Sequence, residues 1–122
     1  MTAPTGLRRL DFVGSSREDL REFPEEVRVD IGCALFVVQR GGHPRSAKPL
    51  RGFGGAGILE IVENSSGGTF RVVYTVRFEK VIYVLHCFQK KSRHGIETPK
   101  REIDLIKQRL KAAAEDYQFN YQ

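Results

Sequence analysis

A chain of 122 residues, 40% of them hydrophobic, can build one compact core without disulfide staples. No run of 18 apolar residues occurs and the N-terminus, MTAPTGLRRLDF, has no apolar stretch of the signal-peptide kind, so a cytoplasmic protein without a membrane span is expected. The net charge of +5 is uneven: residues 40–111 hold fifteen Lys and Arg against six Asp and Glu, while residues 1–39 and 112–122 each sum to −2. A basic block framed by acidic ends is a floor for a polyanion, and RNA or the ribosome is the partner it suits.

In chain order, Leu7 to Val13 reads as a first strand. Gly14-Ser15-Ser16 breaks it, and Ser15 or Ser16 is placed to cap a helix whose first turn carries Glu18 and Asp19. Pro24 interrupts that helix or opens a second at its first position. Val27, Ile31, Leu35 and Val38 then form a helical stripe that Gly41-Gly42 ends, giving helices over about 16–23 and 24–40. His43 to Gly57 is a loop rich in Pro and Gly.

Ile58 to Glu63, Thr69 to Arg77 and Val81 to Gln89 are β-branched and aromatic runs, separated by the turns Asn64–Gly68 and Glu79-Lys80. The run VIYVLHCF is apolar on nearly every position, as a central strand covered on both sides requires. Thr98-Pro99 opens a last helix with apolar positions Ile103, Ile106, Leu110, Ala113 and Tyr117, and the tail YQFNYQ is peripheral. The order β, α, α, β, β, β, α predicts a small α+β domain: two N-terminal helices on a mainly antiparallel four-stranded sheet, and a C-terminal helix. Cys33 and Cys87 both fall in apolar runs and read as buried free thiols.

The chemistry lies in the cations. RNA cleavage by 2′-OH attack needs an oriented nucleophile, a phosphate held in line, a stabilised transition-state charge and a leaving oxygen. Arg and Lys can supply most of this without a metal or other cofactor, although such a cluster can equally serve only to bind the backbone. Lys48 and Arg51 lie in KPLRGFGGAG, where Pro stiffens the chain and the glycines admit a close backbone. Arg71 sits inside a strand on the face opposite Phe70 and Val72, where burial demands a partner; Glu60 in the neighbouring strand is the candidate. Arg77 shares its face. Lys90 and Lys91 follow Phe88, which could stack a base while the lysines meet phosphate, and Arg93 follows. His86 reads as a satisfied core residue, and His43 and His94 as loop residues able to donate protons. No Cys or His spacing suits a metal.

KPLRG, then GILEIVENSSGGTFRVVY, then IYVLHCFQKKSRHGIETPKREIDLIKQRL resemble the phage-derived Gp49-like, HigB-type branch of the RelE/ParE toxin superfamily. The resemblance runs from about Leu10 to Ala114. Each motif is weak alone; the ordered set KPL-x-G, L-E-I, F/Y-R-V-x-Y and L-x-x-F-x-K-K with a T-P-x-x-E-I helix is specific. It implies one toxin domain over residues 1–122, with a core of about 7–116. It also implies a metal-independent endoribonuclease that cuts mRNA on the ribosome, and a helix-turn-helix, HigA-like antitoxin. Carried over by position, Lys48, Arg71, Lys90 and Lys91 are the catalytic candidates. Arg51, Arg77, Phe88 and Arg93 are the RNA-binding candidates, and Glu60 orients a cation. Many relatives carry Arg two positions after that glutamate; this chain has Val62, so Arg77 is the substitute to examine. A DNA gyrase inhibitor of the ParE type, or an inactive relative that only binds RNA or antitoxin, are the alternatives on the same fold.

Overall fold

The computed structural model describes residues 6–54, 57–90 and 98–122. Its elements are β1 (Arg9–Phe12), α1 (Ser16–Arg21), α2 (Glu25–Gln39), β2 (Ala47–Pro49), β3 (Ile58–Ser65), β4 (Gly68–Thr75), β5 (Val81–Lys90) and α3 (Lys100–Tyr121). One sheet has the order β1-β5-β4-β3-β2. All its pairings are antiparallel except β1 with β5, which is parallel. The α+β class and helix order are as expected, but the sheet has five strands, not four.

The added strand is β2, inside the expected loop. Three residues are too few to show an alternating pattern, and Lys48 and Pro49 are residues that suit an edge strand, where an exposed rim must be kept from pairing further. The strand continues in Leu50, whose amide bonds the Ile58 carbonyl at 2.9 Å. The β3–β4 hairpin closes on Ser66-Gly67, shorter than expected, with Gly68 at φ +133°. β4 stops at Thr75, two residues early. The Thr75 hydroxyl donates to the Gly57 carbonyl at 2.9 Å and accepts from the Arg77 amide at 3.1 Å, taking the chain out of the ladder.

The helix ends also differ in detail. Ser15 occupies the N-cap of α1 but makes no side-chain cap; its hydroxyl donates to Asp19 at 2.8 Å instead. Pro24 sits at the N-cap of α2, not its first helical position. Past α2, Gly41 takes φ +89°; its amide bonds Val38 O, and that of Gly42 bonds Val37 O. This pair of bonds requires a left-handed residue, and so a glycine, after the cap.

Two apolar layers sandwich the sheet. Toward α1 and α2 lie Ile61, Phe70, Val72, Tyr74, Ile82, Val84 and Cys87, packed on Phe23, Val27, Ile31, Leu35 and Val38. Toward α3 lie Ile58, Val73, Val81, Tyr83 and Leu85, packed on Ile106, Ala113 and Tyr117. Val81 to Cys87 are all buried, as a central strand demands. Cys33 is exposed, contrary to expectation, because it lies off the Val27–Val38 stripe of α2. The tail is not peripheral. Tyr117 is buried, its oxygen accepts from the Lys80 amide at 3.2 Å, and the Tyr121 hydroxyl donates to Asp11 at 3.1 Å. No described helix is long and apolar enough to cross a membrane.

Candidate functional site

Strand register assembles the candidate residues. Lys48 on β2 faces Glu60 on β3, Glu60 faces Val73 on β4, and Val73 faces His86 on β5. The next row on the same sheet face is Val62, Arg71 and Phe88, and the row after it Asn64, Thr69 and Lys90. Rows on one face lie two residues, ~7 Å, apart along a strand. Alternation therefore puts Lys48, Glu60, Arg71, His86, Phe88 and Lys90 on the side that also carries α3.

Arg71 is buried, 5% exposed, and its Nη1 donates to Glu60 Oε1 at 2.6 Å. Glu60 is equally buried, 4% exposed. The pair is diagonal, since Arg71 stands opposite Val62. Burying two charges is costly unless each meets the other closely, and 2.6 Å in good register meets that demand. The Arg71 Nε finds no partner among the described residues. Arg71 is therefore committed to its pair and is not an open clamp.

Lys48 and Arg51 are exposed and flank a cleft of about 380 Å³. Its other walls are Pro49, Leu50, Gly52 and Glu60 on the sheet side, and Thr98 and Ile103 from the start of α3. Gly52 takes φ +97°, a conformation that turns the loop back after Arg51. Lys90 closes β5, half-buried, on the same face.

His86 is buried, and its ring stacks on Phe88 with centroids 4.7 Å apart. Arg109 Nη1 lies 3.3 Å from His86 Nδ1, and Glu102 3.1 Å from Nε2. Arginine can only donate, so Nδ1 accepts, and Nε2 carries the proton that it gives to Glu102. Arg109 also donates to Leu85 O at 3.0 Å and to the Ser15 hydroxyl at 3.0 Å, tying α3 to the sheet and to α1. His86 is thus a satisfied core group, and Phe88 is half-buried beneath it rather than a free platform.

The structure leaves other candidates apart. Arg77 lies beyond β4, six positions from Arg71 or ~20 Å along an extended chain, and beside Gly57. Val62 is in register with Arg71, so Arg77 does not substitute for a cation there. His43 is exposed between α2 and β2 and belongs to none of the paired rows. Lys91, Arg93 and His94 lie outside the described residues. Among the described residues no three His, Cys, Asp or Glu side chains could hold a metal. Sequence reasoning passed over Thr98, Glu102 and Arg109. Their signal was present for the first two, which belong to the T-P-x-x-E-I motif; Arg109 is an ordinary polar helix position until the fold brings it to His86.

Comparisons with known proteins bear on the family and the fold. The family model for phage-derived protein Gp49-like (DUF891) matches residues 18–111. Among solved structures, the chain is similar to a double arginine-to-alanine mutant of the E. coli toxin RelE in the free state, at 21% identity and TM-score 0.57, covering 87% of this chain and 97% of that one. It is similar to the isolated E. coli RelE toxin at 24% identity and TM-score 0.55, covering 83% and 97%. The toxin–antitoxin complex RelBE2 from Mycobacterium tuberculosis aligns at 20% identity and TM-score 0.48, covering 75% and 100%. A search of curated proteins finds no match. The family match spans most of the chain and the two RelE structures share its fold: the chain belongs to the phage-derived Gp49-like family and has a RelE-like fold.

Proposed function

We propose that this protein is the toxin of a type II toxin–antitoxin pair and acts as a ribosome-dependent mRNA endonuclease, neutralised by a helix-turn-helix antitoxin. The observation that carries the reading is the cleft flanked by Lys48 and Arg51, on the sheet face that also bears Arg71 and Lys90. A phosphodiester at the rim of this cleft meets the exposed Lys48 and Arg51, whose charged donors can reach its oxygens. Lys48 is the residue to orient the 2′-hydroxyl and meet the charge that develops at the phosphate, while Lys90, two rows along the sheet face, and its neighbour in sequence Lys91 hold the RNA chain beyond the cleft. Arg51 and Arg93 serve the RNA backbone. Arg71 works from beneath, fixing the Glu60 carboxylate rather than touching phosphate.

The test is induced expression followed by mapping of mRNA 5′ ends. Translation should stop and cuts should fall in register with codons. Lys48→Ala should reduce cleavage by roughly 10²–10³-fold, the size of a lost transition-state donor. Intact transcripts during growth arrest would refute the endonuclease reading, and double-strand breaks in DNA would replace it with gyrase poisoning.

A further inference from the structure

The cleft beside Lys48 has a chemistry that phosphate binding does not use. Its floor is apolar, Leu50 and Ile103, and Pro49 lines it too. At about 380 Å³ it is at the small end of ligand pockets, which start at ~300 Å³. Two polar groups face this apolar lining. One is Glu60, 4% exposed, a carboxylate whose Oε1 accepts from Arg71. The other is Thr98, whose Oγ1 is buried with no hydrogen-bond partner among the described residues. A buried carboxylate turned toward a phosphate site would repel the very group that Lys48 and Arg51 attract. Its place in the cleft suits a neutral ligand that donates hydrogen bonds.

We infer that the cleft is a base-reading pocket for guanine, with Lys48 and Arg51 on the phosphates to either side. The inference rests on the RNA-cleaving reading above and names what that site selects. The carboxylate is acceptor-only, with lone pairs left on both oxygens after Arg71 has taken one. The Thr98 hydroxyl is free to donate. Guanine is the one RNA base whose Watson–Crick edge offers two adjacent donors, N1–H and the N2 amino group, beside an acceptor, O6. Two donors suit Glu60 and the acceptor suits Thr98. Adenine offers one donor and an acceptor on that edge. Cytosine offers one donor and two acceptors, and uracil one donor between two acceptors; each would set an acceptor against the carboxylate. The apolar floor takes the base plane. Arg71 gains a reason to be buried: it holds the carboxylate oriented in a site where a solvated side chain would swing.

The experiment is titration of the intact protein with GMP, AMP, CMP and UMP, followed by amide NMR shifts. GMP should bind roughly 10-fold or more tightly than the other three, the discrimination of a good two-point base contact, and shift Leu50, Thr98 and Ile103. Thr98→Val keeps the side-chain shape and should reduce the preference for GMP. Glu60→Gln, checked for folding by circular dichroism, should abolish it, since an amide offers a donor where guanine also donates. Equal binding of all four nucleotides, no binding of any, or GMP shifts confined to Lys90 would each overturn the pocket. Cleavage of mRNA without guanine selectivity refutes the pocket alone; GMP selectivity in a protein that cuts no RNA refutes the endonuclease reading alone.

Discussion

The two faces of the sheet are built to different ends. The face under α1 and α2 is apolar from edge to edge, with Ile61, Phe70, Val72, Tyr74, Ile82, Val84 and Cys87 in one packed layer. The face under α3 is apolar only where Ile106, Ala113 and Tyr117 cover it. Past the start of that helix it carries Lys48, Glu60, Arg71, His86 and Lys90. The same β4 strand serves both: Val72 fills the first layer while Arg71, one residue earlier, is committed to an ion pair in the second. The first face supplies cohesion, and the second spends part of it to hold charge beside a cleft.

Breaking the ion pair gives the largest effect. Arg71→Ala should destabilise the fold by about 3–5 kcal/mol, because it leaves the Glu60 carboxylate buried and unpaired. Replacing both partners, Glu60→Leu with Arg71→Met, should recover most of that loss, since a buried pair is often no more stabilising than apolar groups of like volume. Urea denaturation of the three proteins measures it. The double variant should be stable yet inactive in mRNA cleavage. A double variant as unstable as the single one would mean that the pair holds the fold rather than the site.

The opposite face answers a milder change. Ile82 is fully buried between the sheet and the N-terminal helices. Ile82→Val removes one methylene and should cost about 0.5–1.5 kcal/mol, with RNA cleavage and nucleotide selectivity unchanged at temperatures where the protein is folded. A selective loss of activity at full folding would show that the two faces are coupled, contrary to the division drawn between them.

This division was partly legible in the sequence. The unbroken apolar run of β5 announced a strand covered on both sides, and the alternation around Arg71 placed it opposite Phe70 and Val72, with Glu60 as its candidate partner. Those readings rest on period-two patterning, which is local. β2 was not legible, because Lys48 and Pro49 carry no alternation and their strand exists only by pairing with β3. The parallel pairing of β1 with β5 was not legible either, since nothing local to Arg9–Phe12 states the direction of a partner some 70 positions on. The cleft shares this limit: Thr98 and Lys48 are brought to one cleft by tertiary packing alone. Arg109, likewise, is a plain helix-surface arginine until its guanidinium meets His86, Leu85 and Ser15.

The finest contrast lies between the two cysteines, and it perturbs the fold least. Both stand in apolar runs, yet one points inward and one outward. Cys87 is buried in the layer beneath the N-terminal helices, and burial pushes its thiol up from 9.0 to about 12. Cys33 is exposed on α2, two positions past the buried Ile31 and one before the buried Ala34. The thiolate is the nucleophile toward a disulfide reagent, so exposure and ionisation act together. At pH 8 the native protein should release one equivalent of chromophore from an aromatic disulfide quickly, and the second only on unfolding in urea. Cys33→Ser should remove the fast equivalent and leave the slow one. The same burial has a sign in stability. The unfolded thiol loses its proton above about pH 9 while the folded one keeps it, so the unfolded state then binds fewer protons and stability falls as pH rises toward 12. Tyr74, buried on the same layer and likewise raised from 10.0 to about 12, adds to the fall. Two equivalents reacting at one rate below pH 9 would show that the apolar layer opens to reagent far more readily than its packing allows.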